Sequence, residues 1–335
     1  MTEQGKRIIE AMIEAPDRES PAGFHFISYY IENPYGWYLR YIRGYRPKFT
    51  KPALILGSAL HSACEIMYKT WVKEDVMAAF AHIMRARKPE YEDVDKWRGD
   101  LDDGNAMLSK WYDTWCEYDQ KTYNILHVED KFAVPLPNGY YMTVKPDLVV
   151  EEKVDGKPIR ILDHKSSRRS MGMAHEYLAG SDQCTSYLWA IGQLYPGRKI
   201  TGVESDVLYK NRSKVDAQRV GIIQRSDREI AEFQLGMIGA LSEMSQKVKG
   251  LAAGWPPHLL FPRNGKDESF FGSEWPHIYR GPLPEDPTEC PFGYEIDTWT
   301  IDHTKKIAYA INDNPNNMNI NAQATPEQIK QGETE

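Results

Sequence analysis

The chain has 335 residues and a formal net charge of −7, with 41% hydrophobic and 27% charged residues. This composition is typical of a globular protein with a hydrophobic core. The negative balance argues against a surface coated in positive charge. It does not exclude nucleic acid as a substrate, because one basic groove is enough to bind nucleic acid and bound divalent cations add local positive charge.

The N-terminal segment has no apolar run long enough for a signal peptide, and nothing later in the sequence resembles a membrane span. We therefore expect no membrane association and a cytoplasmic location, which would be the host cytoplasm for a viral protein. The four cysteines, Cys64, Cys116, Cys184 and Cys290, are scattered and form no CxxC pair. This spacing argues against a zinc knuckle and against a disulfide framework.

The first third of the chain predicts helices. Residues 1–14 have the apolar spacing of a short amphipathic helix, and an aromatic and basic stretch follows, FHFISYYIENPYGWYLRYIRGYRPKFTKP. A helix is predicted to begin at Gly57 and to run through GSALHSACEIMYKTWV. A second helix is predicted over about residues 101–122.

The pattern then changes to short β-prone segments, ILHVEDKFAVPL, GYYMTVKPDLVVEE and PIRILDHKSS, which are separated by turn signals. A helix over 182–194, a strand GVESDVLYKN and a long helix over about 227–249 follow. Residues 255–295 are rich in Pro and Gly, and residues 311–335 are polar and predicted to be disordered. We expect one α/β domain over 1–310, with its core at about 25–250.

The segment KPDLVVEEKVDGKPIRILDHKSS predicts a β-hairpin, because Asp155-Gly156 is a strong turn signal between two β-prone runs. With the turn centred there, Asp147 falls opposite Asp163 or His164. Side chains alternate along a strand, so Asp163 and Lys165 point to the same face. The hairpin therefore brings two carboxylates and one ammonium together.

These residue types suit metal-dependent phosphodiester hydrolysis. Carboxylate oxygens bind Mg²⁺ or Mn²⁺, and the cation polarises the phosphate. Lys165 could neutralise charge that develops on the phosphate, and desolvation could lower the pKa of Lys165 enough for it to accept a proton. The alternative is that Asp163 and Lys165 are solvated strand residues near the end of a hairpin.

Five short motifs in order resemble the PD-(D/E)xK nuclease superfamily, and within it the RecB-type domain that also occurs in CRISPR-adaptation nucleases. They are Gly57-Ser-Ala-Leu-His61, Glu129 in HVEDKF, Pro146-Asp147, Asp163-His164-Lys165 and Gln183-Cys-Thr-Ser-Tyr187. The resemblance covers roughly residues 25–210. It implies a central mixed β-sheet flanked by helices, a restriction-endonuclease-like core with helical N-terminal and C-terminal additions, and cleavage of DNA.

The resemblance also implies roles for individual residues. Asp147, Asp163 and His61 would be metal ligands, together with the backbone carbonyl of His164, and Lys165 would be the catalytic lysine. Gln183 and Tyr187, one helical turn apart, would position the phosphate or support Lys165, and Glu129 could lie behind the ligands. Alternatively, His61 is a surface or satisfied core histidine and Tyr187 is a core residue.

Many relatives carry an iron–sulfur cluster held by one early cysteine and three late ones. Here the early position reads Asn33-Pro34-Tyr35, and Cys290 is the one late cysteine. We therefore expect no iron–sulfur cluster. No GxxxxGK[ST] motif is present, so unwinding of DNA would need a recombination or helicase partner.

Two basic clusters are candidates for contact with DNA. In the first, Arg40, Arg43, Arg46, Lys48 and Lys51 alternate with Tyr38, Tyr41, Tyr45 and Phe49, so the arginines could follow phosphates while the aromatic rings stack on bases. The alternative is an amphipathic helix whose tyrosines pack. The second cluster comprises Lys165, Arg168 and Arg169.

The sequence favours a metal-dependent exonuclease that degrades linear DNA in recombination, repair or phage DNA processing. A second hypothesis is a non-catalytic DNA-binding or assembly subunit that retains the fold. The intact set of Asp147, Asp163 and Lys165 argues against it. A third is a metal-dependent hydrolase acting on something other than nucleic acid, against which the two basic clusters argue mildly.

Overall fold

The computed structural model describes residues 1–7, 23–48, 51–168, 171–263, 284, 286, 289–291 and 293–311. The chain divides into two compact units. The sheet unit comprises residues 1–18, 49–132 and 145–230, and the aromatic unit comprises residues 19–48, 133–144 and 231–335. The single domain expected over 1–310 stays a prediction.

The sheet unit contains the helices α1 (Pro52–Thr70), α2 (Lys73–Ala86) and α3 (Val94–Thr122). The helix predicted from Gly57 begins earlier because Pro52 occupies its first turn, where a fixed φ and a missing N–H cause no loss. The helix predicted from about residue 101 begins at Val94. There the Asp93 side chain caps the helix by accepting from the backbone N–H groups of Asp95 and Lys96.

The centre of this unit is a five-stranded sheet in the order β1-β2-β3-β4-β5. Its strands are Tyr123–Val128, Leu148–Glu152, Ile159–Ser167, Ile200–Lys210 and Val215–Ile223. β3 and β4 are parallel and the other neighbours are antiparallel. The parallel pair needs a crossover, which contains α4 (Met171–Ala179) and α5 (Asp182–Leu194). The predicted mixed sheet flanked by helices is confirmed.

Helices cover both faces of the sheet. On one face, side chains of α1, α2 and α3 form a buried apolar cluster with Leu148 of β2 and Leu162 of β3. Successive strand residues point to opposite faces. Accordingly, Asp206 of β4 accepts from Trp111 of α3, whereas the neighbouring Ser205 lies 3.3 Å from His175 of α4. The crossover helices therefore cover the opposite face.

In the aromatic unit, helices Phe24–Glu32 and Pro34–Trp37 precede a π-helical turn at Tyr38–Ile42. The strand Tyr45–Pro47 pairs with Tyr294–Ile296, and Phe132–Pro135 pairs with Tyr141–Val144. Further helices in this part of the chain are Asp227–Ala252, whose first turn belongs to the sheet unit, Pro257–Leu260 and Thr298–Ala310. Packing is largely aromatic: the rings of Trp37 and Phe261 stack with their centroids 5.8 Å apart.

This packing corrects one hypothesis about DNA. Tyr38, Tyr41 and Tyr45 are buried, so they cannot stack on bases, and the packing alternative is confirmed for them. Arg46 is engaged in an ion pair with Asp297, at 2.6 Å.

Several predicted features lie outside the described residues: residues 8–14 of the first helix, Phe49, Arg169, most of 264–292 and the tail from 312. Among the described residues, no helix is long and apolar enough to cross a membrane.

Candidate active site

The hairpin formed by β2 and β3 sets the geometry of the site. Its register pairs Leu148 with Leu162 and Val149 with Ile161, so the next position along each strand brings Asp147 opposite Asp163. Gly156 takes a φ of 78° in the turn, a conformation that favours glycine. The structure confirms the predicted pairing of the two aspartates.

Asp147 lies at the centre of the site and is 6% exposed. Its Oδ2 accepts a hydrogen bond of 2.6 Å from the backbone N–H of His164, and its Oδ1 lies 3.4 Å from Nδ1 of His61. Burial opposes ionisation of this carboxyl, but the charges of His61 and Lys165 outweigh burial and hold the pKa of Asp147 below its usual value. Asp147 is therefore an anion.

Asp163 and Lys165 form an ion pair on the same side of β3, with 2.6 Å between Lys165 Nζ and Asp163 Oδ2. Oδ1 of the fully buried Asp163 has no hydrogen-bond donor among the described residues. Burial raises the pKa of the Asp163 carboxyl. For Lys165, burial alone would lower the pKa, but the carboxylates of Asp163 and Asp147 raise it. The pKa shift expected from desolvation is thus reversed, and Lys165 is an ammonium.

The structure brings His61, Glu129 and Asp147 together, with one potential ligand atom from each residue within 4.8 Å of the others. Nδ1 of His61 lies 3.8 Å from Oε1 of Glu129. Burial would lower the pKa of His61, but Asp147 and Glu129 raise it to about 10. Glu129, which could have lain behind the ligands, thus lies beside His61 and Asp147, whereas this three-residue group does not include Asp163.

The side chain of His164 points to the opposite face of β3 from Asp163 and Lys165, and its ring centroid lies 6.2 Å from that of His61. Its ring stacks on Tyr68 with a centroid separation of 5.9 Å, and its Nδ1 lies 3.3 Å from Oδ2 of Asp206. The role predicted for His164 concerned its backbone carbonyl. In a strand, the N–H and C=O of one residue point to the same side, so this carbonyl faces the side of Asp147. Its coordination of a metal stays a prediction.

Gln183 and Tyr187 lie one turn apart on α5, as the sequence predicts. Nε2 of Gln183 donates a hydrogen bond of 2.6 Å to the Tyr187 hydroxyl. Burial raises the pKa of this phenol well above its usual value, and the negative charges of Asp163 and Asp147 raise it further. The Tyr187 hydroxyl is therefore protonated, and it is close enough to both aspartates for their charges to affect it.

Behind β3 lies a buried ionic network that the sequence analysis missed. Arg219 of β5 donates to both oxygens of Asp119, at 2.6 and 2.7 Å, and lies 3.4 Å from Oδ2 of Asp206. Asp119 also accepts from the Tyr68 hydroxyl, at 3.0 Å. Asp206 within the predicted strand GVESDVLYKN was the available signal, since buried carboxylates are rare unless they are paired.

The donor set fits a hard divalent cation. Oε1 of Glu129 and Oδ1 of Asp163 are buried and accept no hydrogen bond from the described residues. Buried oxygen atoms normally have a partner, and carboxylate oxygens are the ligands that Mg²⁺ and Mn²⁺ prefer. His61 adds a nitrogen ligand to this set.

Comparison with known proteins agrees with this chemistry. A model of the PD-(D/E)XK nuclease superfamily matches residues 26–266. The chain belongs to this superfamily. Membership indicates a nuclease that uses a divalent metal.

A structure titled "Crystal structure of SSO0001" is similar over 70% of this chain and 83% of that chain, at 10% identity and a TM-score of 0.27. A likeness this weak carries no argument. Comparison with curated proteins gives no match.

Proposed function

We propose that this protein is a Mg²⁺- or Mn²⁺-dependent exonuclease that hydrolyses linear DNA in recombination, repair or phage DNA processing. The observation that carries the proposal is the convergence of Asp147, Asp163 and Lys165 on one hairpin, next to His61 and Glu129. Membership of the nuclease superfamily supports phosphodiester hydrolysis. The choice of linear DNA rests on the resemblance of the motifs to RecB-type domains.

His61, Glu129 and Asp147 would hold the cation, with Asp163 and the carbonyl of His164 as further oxygen ligands. When bound, a divalent cation withdraws charge from the phosphate and favours ionisation of water. Ionised Asp147 already has the charge state that a ligand needs. His61, which is protonated beside two carboxylates, must lose a proton to bind the cation.

Lys165 supplies positive charge beside Asp163. Because its pKa is raised, it stabilises negative charge on the phosphate and does not accept a proton. Tyr187 assists from α5. Its oxygen accepts from Gln183, which leaves the hydroxyl hydrogen available to a phosphate oxygen.

The test is cleavage of end-labelled linear DNA and of closed circular DNA in Mg²⁺, Mn²⁺ or EDTA. Lys165→Met and Asp163→Asn are the variants. Lys199→Met is the matched control, because Lys199 is an exposed lysine directly before β4. The expected result is metal-dependent loss of linear DNA by the parent and by Lys199→Met, and no loss with the other two variants.

Cleavage of closed circular DNA would be consistent with the proposed active site, but it would overturn the assignment as an exonuclease. Binding of DNA without cleavage in any metal would overturn the catalytic proposal in favour of a DNA-binding or assembly subunit. Equal activity of Lys165→Met and the parent would show that the chemistry occurs elsewhere.

A further inference from the structure

Glu129 has an unusual backbone conformation. Its φ is 55°, in the left-handed region that residues with a Cβ rarely adopt. Such a conformation persists where surrounding contacts fix it, and it clusters at functional sites.

A side-chain contact between His127 and Asp130 spans Glu129. Nδ1 of His127 lies 2.7 Å from Oδ2 of Asp130, and Nε2 of His127 lies 2.7 Å from the Tyr195 hydroxyl. A carboxylate can only accept, so Nδ1 carries the hydrogen, and in the neutral ring Nε2 accepts from Tyr195. His127 is thus fixed through both nitrogens, and its bond to Asp130 closes the turn.

A third contact fixes the turn relative to the site. The backbone N–H of Glu129 donates to the carbonyl of Asp147 at 3.0 Å. The turn therefore attaches directly to the residue at the centre of the ligand group. We call this arrangement of His127, Asp130 and Tyr195 around Glu129 the turn clamp.

The clamp determines where the Glu129 carboxylate lies. Oε2 is 2.9 Å from Lys145 Nζ, and the buried Oε1 lies 3.8 Å from His61 and accepts no hydrogen bond from the described residues. The side chain is 10% exposed. A carboxylate oxygen that is buried, unsatisfied and next to two other ligand groups is held there at a cost.

We infer that His127, Asp130 and Tyr195 are positioning residues that hold Glu129 in its left-handed conformation so that its carboxylate completes the metal-binding group. The inference rests on the proposed function in that the group binds Mg²⁺ or Mn²⁺. It adds that residues which touch neither metal nor DNA set the affinity for the cation. Partners of this kind typically change metal affinity by about 10- to 100-fold.

The first experiment tests the backbone conformation. Glu129→Gly and Glu129→Ala both remove the carboxylate, but only alanine keeps a Cβ in the left-handed region. We expect the glycine variant to melt a few degrees above the alanine variant without metal. Equal melting temperatures, or a lower one for glycine, would overturn the claim that Glu129 is held against its preference.

The second experiment measures Mn²⁺ affinity by calorimetry without DNA. We expect Asp130→Ala to weaken binding about tenfold. Asp130→Asn, whose amide oxygen still accepts from His127, should stay within about threefold of the parent. In the Glu129→Gln background, Asp130→Ala should change the affinity by less than about twofold, because the two residues act through one ligand.

The failure of the proposed function and the failure of the clamp give different results. If the parent binds no Mn²⁺, the proposed function is overturned, and the positioning role with it. If the parent binds Mn²⁺ but Asp130→Ala weakens binding equally in both backgrounds, the clamp is overturned and the metal-dependent nuclease is retained. No effect of Asp130→Ala in the parent background also overturns the clamp.

Discussion

The backbone N–H of His164 donates to a side-chain oxygen of Asp147, at 2.6 Å. The backbone pairing of β2 with β3 ends one position earlier, at Leu148 and Leu162. A carboxylate oxygen therefore continues the ladder beyond the point where β2 ends. Asp147 serves both as a hydrogen-bond acceptor for β3 and as a negative charge in the site.

These two roles of Asp147 can be separated by substitution. In Asp147→Asn the amide oxygen can still accept from His164, whereas Asp147→Ala leaves a buried donor unsatisfied. We expect the alanine variant to be less stable than the asparagine variant by about 1–3 kcal/mol, and both to lose metal-dependent cleavage. Urea unfolding of the two metal-free variants gives the difference. Equal free energies of unfolding would show that the hydrogen bond does not contribute.

Replacing Lys165 should separate cleavage from metal binding. We expect Lys165→Met to lower the cleavage rate by roughly 10²–10³-fold, the usual effect of removing one group that stabilises the transition state. Its Mn²⁺ affinity should stay equal or rise, because a positive charge beside Asp163 is removed. Calorimetry and single-turnover cleavage give the two quantities. A loss of Mn²⁺ affinity that matches the loss of rate would contradict the assigned role.

The losses of cleavage rate caused by replacing Gln183 and Tyr187 should not multiply, because the two side chains act together. Tyr187→Phe removes the hydroxyl, and Gln183→Leu removes the donor that orients it. We expect each change to lower the cleavage rate by roughly tenfold, and the double variant to be little worse than Tyr187→Phe. The test compares the cleavage rates of the parent, the two single variants and the double variant. Multiplicative losses would mean that the two side chains act independently.

Replacing Arg219 should lower the free energy of unfolding. Arg219→Met leaves Asp119 and Asp206 buried without their cation, which we expect to cost about 3–5 kcal/mol. Arg98→Met is the control, because Arg98 pairs with Asp95 on the exposed side of α3 and should cost at most about 1 kcal/mol. Urea unfolding compares the two. A small loss in Arg219→Met would mean that the network relaxes or admits water.

Alanine substitutions at two glycines of α3 should change the stability of the protein in opposite directions. A Cβ at Gly104 would lie 2.0 Å from Cζ of Phe80, whereas a Cβ at Gly99 would meet nothing within 4 Å. We expect Gly104→Ala to destabilise by about 1–3 kcal/mol and Gly99→Ala to stabilise by up to about 1 kcal/mol. Thermal or urea unfolding gives the sign of the change in stability for each variant. Stabilisation by both variants would mean that the ring of Phe80 moves aside readily.

The hairpin and α5 were predictable because their signals are local. Asp155-Gly156 sets the turn, the turn sets the register, and the register places Asp147 opposite Asp163. The pairing of Gln183 with Tyr187 follows from helical periodicity alone. In both cases, residues close in sequence determine contacts that the structure confirms.

The position of Glu129 and the ionic network could not be predicted in this way. Glu129 joins the ligand group through a left-handed turn fixed by Tyr195, which comes from a distant part of the chain. Arg219 reaches Asp119 only because β5 lies beside α3. The burial of Tyr41 likewise depends on tertiary packing, which overrides the aromatic and basic pattern of its segment.

Three consecutive residues of β3 face alternate sides of the sheet. Asp163 and Lys165 share one side, while His164 lies between Tyr68 and Asp206 on the other. If β3 slipped by one residue, Asp163 would enter the apolar cluster under α1, where an unpaired carboxylate costs several kcal/mol. The residues that carry the chemistry therefore also select a single alignment of the central strand, so that a misaligned sheet is disfavoured before any substrate is bound.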